Sequence, residues 1–228
     1  MDQADILRAA QDPQRLAVLK QFNLLDTSVE DAFDRLTRLA SKITGSPISL
    51  VTLIDADRQF FKSAFGLPEP VASSRETPLS YSFCKHVVAS GEALIVEDAR
   101  EHDGLKDNLA VSEFGIVGYL GSPLTTTTGV ELGSFCVLDV KPRQWNERDL
   151  DIIRELALSV MTEIELRAQI KAREEAEADL LKRNRQYRRV YHFANITLKH
   201  MRKTLRLGTS PKEMVIYLDQ MQKELSRL

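Results

Sequence analysis

The sequence predicts an α+β protein: an antiparallel sheet flanked by helices, followed by a long coiled-coil helix and a helical hairpin. Three observations carry this reading. The run ISLVTLIDADRQFFKSAFGL holds β-branched and apolar residues on both sides of an Asp-Ala-Asp-Arg turn, the pattern of two antiparallel strands. The later run GYLGSPLTTTTGVELGSFCVLDV repeats that texture around Gly129. From Arg148 to Lys203 there is neither proline nor glycine, so nothing interrupts a helix there.

The elements follow in order. Ile6, Leu16, Leu19 and Phe22 fall on one helical face, and Pro13, tolerated only near a helix start, places a short helix from about that residue. Thr27-Ser28-Val29-Glu30 fits a capping box, a hydroxyl and a carboxylate satisfying the first amides of a helix. Behind it Phe33, Leu36, Leu39, Ala40 and Ile43 recur at helical spacing, and Gly45 to Pro47 stop the run. After the first strand pair, the Pro- and Ser-rich stretch at 68–78 reads as an exposed loop. Leu79 to Ala89 predicts a short helix, Ala93 to Val96 a strand, and Ala99 to Asn108 a polar loop. Two strands joined near Gly129 come next, and Asn146-Glu147 opens the long helix.

Within that helix Leu166, Ile170, Arg173, Glu177, Leu180, Asn184, Tyr187, Tyr191, Ala194, Leu198, Met201 and Leu205 alternate by four and three. This is a coiled-coil seam, weakest at Arg173, Glu177 and Asn184, and it predicts a parallel homodimer. Gly208 to Pro211 break the helix, and a last one follows with Met214, Leu218, Met221 and Leu225 on one face.

Composition excludes several classes. The 228 residues are 43% apolar and 28% charged, with a net charge of -2, so the chain can bury a core and carries no basic excess toward nucleic acid or an anionic membrane. The N-terminus shows no basic-then-apolar leader and no segment approaches a membrane span, so the protein is expected to be cytoplasmic, with Met1 a natural start. Cys84 and Cys136, the two cysteines, lack metal-type spacing and fit reduced thiols; no metal site is expected.

The segments RLAVLKQFNLLDTSVEDAFDRLTRLASKI, PISLVTLIDADRQFFKSAFGL, SFCKHVV, VEDAREHDGLKDN, GYLGSPL and LGSFCVLDVKPRQWNERDLDIIRELA, in that order, make residues 12–165 resemble a GAF domain, a cytoplasmic ligand-sensing module. The resemblance implies an antiparallel sheet of five or six strands between helices, with a small-molecule pocket between one sheet face and the loops. It places a GAF sensory domain at 1–165, a coiled-coil signalling helix at 166–205 and the last helix of a dimerisation hairpin at 206–228.

The stretch FANITLKHMRKTLRL and the helix after it look like the phosphoacceptor hairpin of histidine kinases, with His200 as the candidate phosphoacceptor. His200 is followed by Met201, without the acidic residue of that family, and Thr204 is followed by Leu205, without its proline. No ATP-binding domain follows, so catalysis by this chain alone is not expected. Two further readings remain open: phosphotransfer from a separate kinase or response regulator onto His200, and a chain that is the front of a longer sensor kinase.

Three readings compete for Cys84-Lys85-His86. In bilin-binding relatives the anchoring cysteine is followed directly by histidine, whereas Lys85 intervenes here, so a bilin is not expected. Reduction of methionine sulfoxide needs an activated thiolate with a resolving thiol, but Cys136 lies within what reads as a central strand. The third reading packs Cys84 between helix and sheet and turns His86 toward solvent or a loop carbonyl. The cofactor is unspecified. Candidate ligand contacts implied by the resemblance are Phe61, Lys62, Arg75, Phe83, Cys84, Asp98, Asn108 and Tyr119; the motif of cyclic-nucleotide-binding members is not visible.

Overall fold

The computed structural model describes residues 2–206 and 210–225, without the side chains of a few positions after 203. The predicted break at Gly208, the seam side chain of Leu205 and the apolar-face side chains of Met214, Met221 and Leu225 lie outside the described residues. Two compact units divide the chain, Met1–Ala168 and Gln169–Leu228.

The first unit opens with α1 (Gln3–Ala10) and α2 (Pro13–Gln21). The sequence reading has only the second, starting where Pro13 does. The first forms because Asp2 caps it, accepting a hydrogen bond from the Asp5 amide at 2.7 Å. Asp12 repeats the device one helix on. Buried Arg15 then ties the pair to the sheet by donating to the carbonyls of Ala10, Ile54 and Glu131.

α3 (Asp31–Thr44) ends at Gly45, whose φ of 70° is the left-handed stop that the sequence expects. Its start differs from the expected capping box. Glu30 is the N-cap residue but makes no side-chain cap bond, and the Thr27 hydroxyl donates backwards to the Leu24 carbonyl. Both side chains are engaged instead by a lysine from the sheet.

That sheet has six strands: β1 (Ile48–Ile54), β2 (Arg58–Phe65), β3 (Glu76–Pro78), β4 (Leu94–Val96), β5 (Gly118–Thr125) and β6 (Glu131–Asp139), ordered β3-β2-β1-β6-β5-β4. All pairings are antiparallel. The first and last long strands meet at the centre, with Leu53 opposite Gly133, whose hydrogen leaves room for the backbone of Thr52. β3 falls inside the stretch read as a loop, as does the single-turn α4 (Val71–Ser74).

Both faces of the sheet are covered, so every residue of β1 is buried. One layer joins Ile48, Leu50, Phe61, Cys136 and Leu138 to α1, to α5 (Cys84–Ser90) and to α6 (Leu109–Phe114). α6 follows the loop expected at 99–108 and is absent from the sequence reading; α5 begins at Cys84, after a 3-10 turn at Leu79–Tyr81, later than the predicted Leu79. The other layer joins Val51, Leu53, Phe60, Phe135 and Val137 to Leu19, Phe33 and the first third of α7 (Glu147–Arg206), through Ile153, Val160 and Ile164.

The second unit contains the remainder of α7 and α8 (Pro211–Leu225). Along α7 the proposed seam residues Ile170, Leu180, Tyr187, Tyr191 and Leu198 are at least half exposed in the single chain. Among the described residues no helix is long and apolar enough to cross a membrane.

Candidate functional site

An apolar cavity of about 290 Å³ lies on the α5 and α6 side of the sheet. Its floor is the sheet, Leu50 of β1, Phe61 of β2 and Leu138 of β6. Its walls come from the two segments between strands: Leu67, Pro68 and Val71 on one side, Ala110, Phe114 and Ile116 on the other. Alternation positions the floor, because every second residue of a strand faces the same layer. Tyr81 closes an edge, stacked on Phe114 with ring centroids 5.3 Å apart, its hydroxyl donating to Glu113 at 2.7 Å. Gln59 and Thr77 supply polarity at the β2–β3 end, joined by a 2.7 Å hydrogen bond from Nε2 to Oγ1.

Of the residues singled out from the sequence as ligand contacts, Phe61 lines this cavity and the others do not. Lys62 leaves β2 on the opposite face. It is fully buried, pairs with Glu30, donates to the Thr27 hydroxyl at 2.5 Å and sits 5.5 Å from the centre of the Phe33 ring. Burial, with the charge of Arg75 adding to it and Asp34 opposing it, pushes the Lys62 ammonium down to about 8. Arg75 is a left-handed residue at φ 54° whose guanidinium donates to the carbonyls of Thr27 and Lys62 and lies 4.9 Å from the Phe60 ring. Asp98 caps a turn and pairs with Arg100, and Asn108 caps α6 while donating to the Ser82 carbonyl at 3.3 Å. Both are structural capping residues here.

Phe83, Cys84 and Tyr119 form a buried group beneath α5. Phe83 meets Tyr119 edge-on at 5.4 Å, the Tyr119 hydroxyl donates to Cys84 Sγ at 3.3 Å, and Cys84 Sγ stands 3.7 Å from Cys136 Sγ. Gly121 has no Cβ because the Tyr119 phenol occupies that space. Burial pushes the Cys136 thiol and the Tyr119 phenol well above their ordinary values, so neither ionises near neutral pH. Cys84 thus packs between helix and sheet, as its helical spacing predicts. His86 departs from expectation: its Nε2 is buried and has no hydrogen-bond partner among the described residues. It lines a second cavity of about 240 Å³ with His102, and burial first, then the charges of Lys85 and His102, holds it down at about 4. No group of metal ligands occurs among the described residues. His200 lies on α7, in the second unit.

Sequence reading missed Gln59, Tyr81, Phe114 and Ile116. The first was signalled by its place in a strand, two residues before Phe61 and therefore on the same face. The others sit on a 3-10 turn, at the end of α6 and just after it, in segments whose fold back over the sheet leaves no local pattern.

A central antiparallel sheet covered on both faces, with an apolar cavity under its loops, is the architecture of a family of signalling and sensor domains. The chain belongs to the GAF domain family, which matches residues 28–164. It is 34% identical over 152 residues to a cyclic di-GMP phosphodiesterase of Pseudomonas aeruginosa, a match covering 66% of this chain and 25% of that protein. The chain therefore spans about a quarter of the length of that relative. Among solved structures it resembles the GAF domain of a phosphoenolpyruvate-protein phosphotransferase from Coxiella burnetii, with TM-score 0.53, 17% identity and coverage of 72% of this chain and 98% of that one. A domain of a putative two-component sensor histidine kinase from Sinorhizobium meliloti is similar at TM-score 0.52 and 18% identity, covering 65% and 99%. At these identities the structures speak for the fold.

Proposed function

We propose that this chain is a dimeric sensory relay: occupancy of the cavity is read through β2 by the opposite layer and passed along α7 to a C-terminal hairpin that presents it to a kinase or response-regulator partner. One observation carries the reading. Phe61 lines the cavity, and the next residue, Lys62, holds Glu30, which also pairs with Arg167 of α7. Arg167 and Lys62 both lie against the Phe33 ring, at 4.9 and 5.5 Å. A displacement of β2 by an occupant thus bears on the helix that leaves the domain, through packed groups without slack. The exposed heptad positions of α7 support a second copy of the chain as its partner. Similarity to part of a cyclic di-GMP phosphodiesterase supports a place beside an output enzyme.

Sedimentation equilibrium of the full chain tests the dimer. The expected mass is about twice 25.8 kDa, and Leu180→Asp should return it to the monomer. A wild-type monomer at micromolar concentration contradicts the reading. Hydrogen exchange tests the relay: Ile116→Trp, which fills the cavity, should change protection in α7, and Lys62→Met should abolish that response. An α7 indifferent to cavity filling removes the relay.

A further inference from the structure

We infer that the cavity takes an uncharged, predominantly apolar ring compound bearing one N–H or O–H donor, and that it excludes nucleotides and other anions. The inference rests on the sensory reading above and names the chemical class of what is sensed.

Charge decides the first part. No residue lining the cavity is charged at neutral pH: its one titratable group, the Tyr81 phenol, donates to Glu113, which raises it above its ordinary value. The cations near the floor in sequence do not line it: Arg58 pairs with Asp26, Asp55 and Glu76, and Lys141 is exposed. Lys62 is turned to the opposite face and neutralised by Glu30, and Arg75 is spent on two backbone carbonyls. A phosphate entering this space would lose its hydration without meeting a cation, a cost that no apolar wall offsets.

Size sets the second part. At the interior packing density of about 0.74, a cavity of about 290 Å³ accommodates a molecule of roughly 12 to 16 non-hydrogen atoms. A cyclic dinucleotide is several times larger. The aromatic neighbours Phe61, Tyr81 and Phe114 favour a flat ring, which finds offset or edge contacts with them.

Gln59 supplies the third part. Its side chain is buried, Nε2 is held by Thr77, and among the described residues Oε1 has no hydrogen-bond partner. In this arrangement Nε2 is engaged by Thr77 and Oε1 is the open acceptor, which a donor on the occupant would satisfy. A ligand without one leaves the acceptor dry and binds less well.

Fluorescence titration of the full chain with carbazole, an uncharged flat fluorophore with one N–H that falls within the cavity's size, tests the proposal. Saturable binding of one probe per chain is expected, on the order of 10 µM or tighter. Indole should displace it about fivefold better than indene, its analogue without the N–H, and Gln59→Leu should erase that preference while retaining the probe. Ala110→Phe and Val71→Trp, each filling the cavity from a different wall, should weaken the probe at least tenfold with unchanged circular dichroism. Cyclic AMP and cyclic di-GMP should not displace it. No saturable binding, binding that both filling variants leave intact, or displacement by either nucleotide overturns the assignment. A chain that binds the probe in a manner lost on filling the cavity, without altered exchange in α7, fails as a relay but not as this binding site. A chain whose α7 responds to cavity filling while refusing the probe does the reverse.

Discussion

Phe61 and Lys62 are consecutive in β2, yet one lines the apolar cavity and the other is buried in the layer across the sheet, paired with Glu30. A single peptide bond thus links the two layers here. A β-bulge where Val51 and Thr52 pass from Ser63 to Phe61 leaves Lys62 without a direct partner on β1. Such an irregularity aims a side chain where a regular ladder would not.

Lys62→Ala should destabilise the fold by about 3 kcal/mol, since it removes a buried cation and leaves Glu30 with Arg167 alone. Lys62→Met keeps the apolar stem against Phe33 and should cost about half as much. Urea denaturation checks both. Equal losses would mean that the charge, and not the stem, holds this corner.

Gly133 and Gly129 should respond very differently to alanine. A Cβ on Gly133 would lie 1.9 Å from the Thr52 carbonyl oxygen, so β1 and β6 must part. A loss of at least about 3 kcal/mol, or failure to fold, is expected. Gly129 has φ 78° with nothing within 4 Å, and Gly129→Ala should cost only about 1 kcal/mol of backbone strain. Thermal melts of the two variants separate close approach from turn geometry.

His86 should make the fold acid-sensitive. Its folded value of about 4 lies below the ordinary 6.5, so between those values the unfolded chain binds a proton that the folded one refuses. Stability is therefore lost as pH falls from 6.5 toward 4, by up to about 3 kcal/mol from this group, and the loss levels off below 4. His86→Leu should flatten the stability difference between pH 7 and pH 4.5. An undiminished slope would assign the acid sensitivity to other groups.

Cys84 and Cys136 should be inert to Ellman's reagent in the native protein at pH 8, since both are buried, and both should react in denaturant. Rapid native reaction would reopen the redox reading that their 3.7 Å separation otherwise only suggests.

The sequence by itself determined the α+β class, the strands around the Asp55–Arg58 turn and Gly129, the stop at Gly45, the uninterrupted α7 and the buried place of Cys84. Each is written in local periodicity or in a glycine's backbone freedom, which act within a few residues. Tertiary structure decided the rest. Thr27 and Glu30 have the spacing of a capping box, but a lysine arriving from β2 competes for both side chains and wins them. Lys62 and Arg75 stand among the candidate ligand contacts that the resemblance implies, and only the bulge and the pairing of β2 with β1 determine which face Lys62 takes. β3 and α6 were hidden because three residues of strand and six of helix gain their stability from packing on the sheet, not from their own pattern. The cavity itself joins residues from Pro47 to Val140, a span across which no local signal reaches.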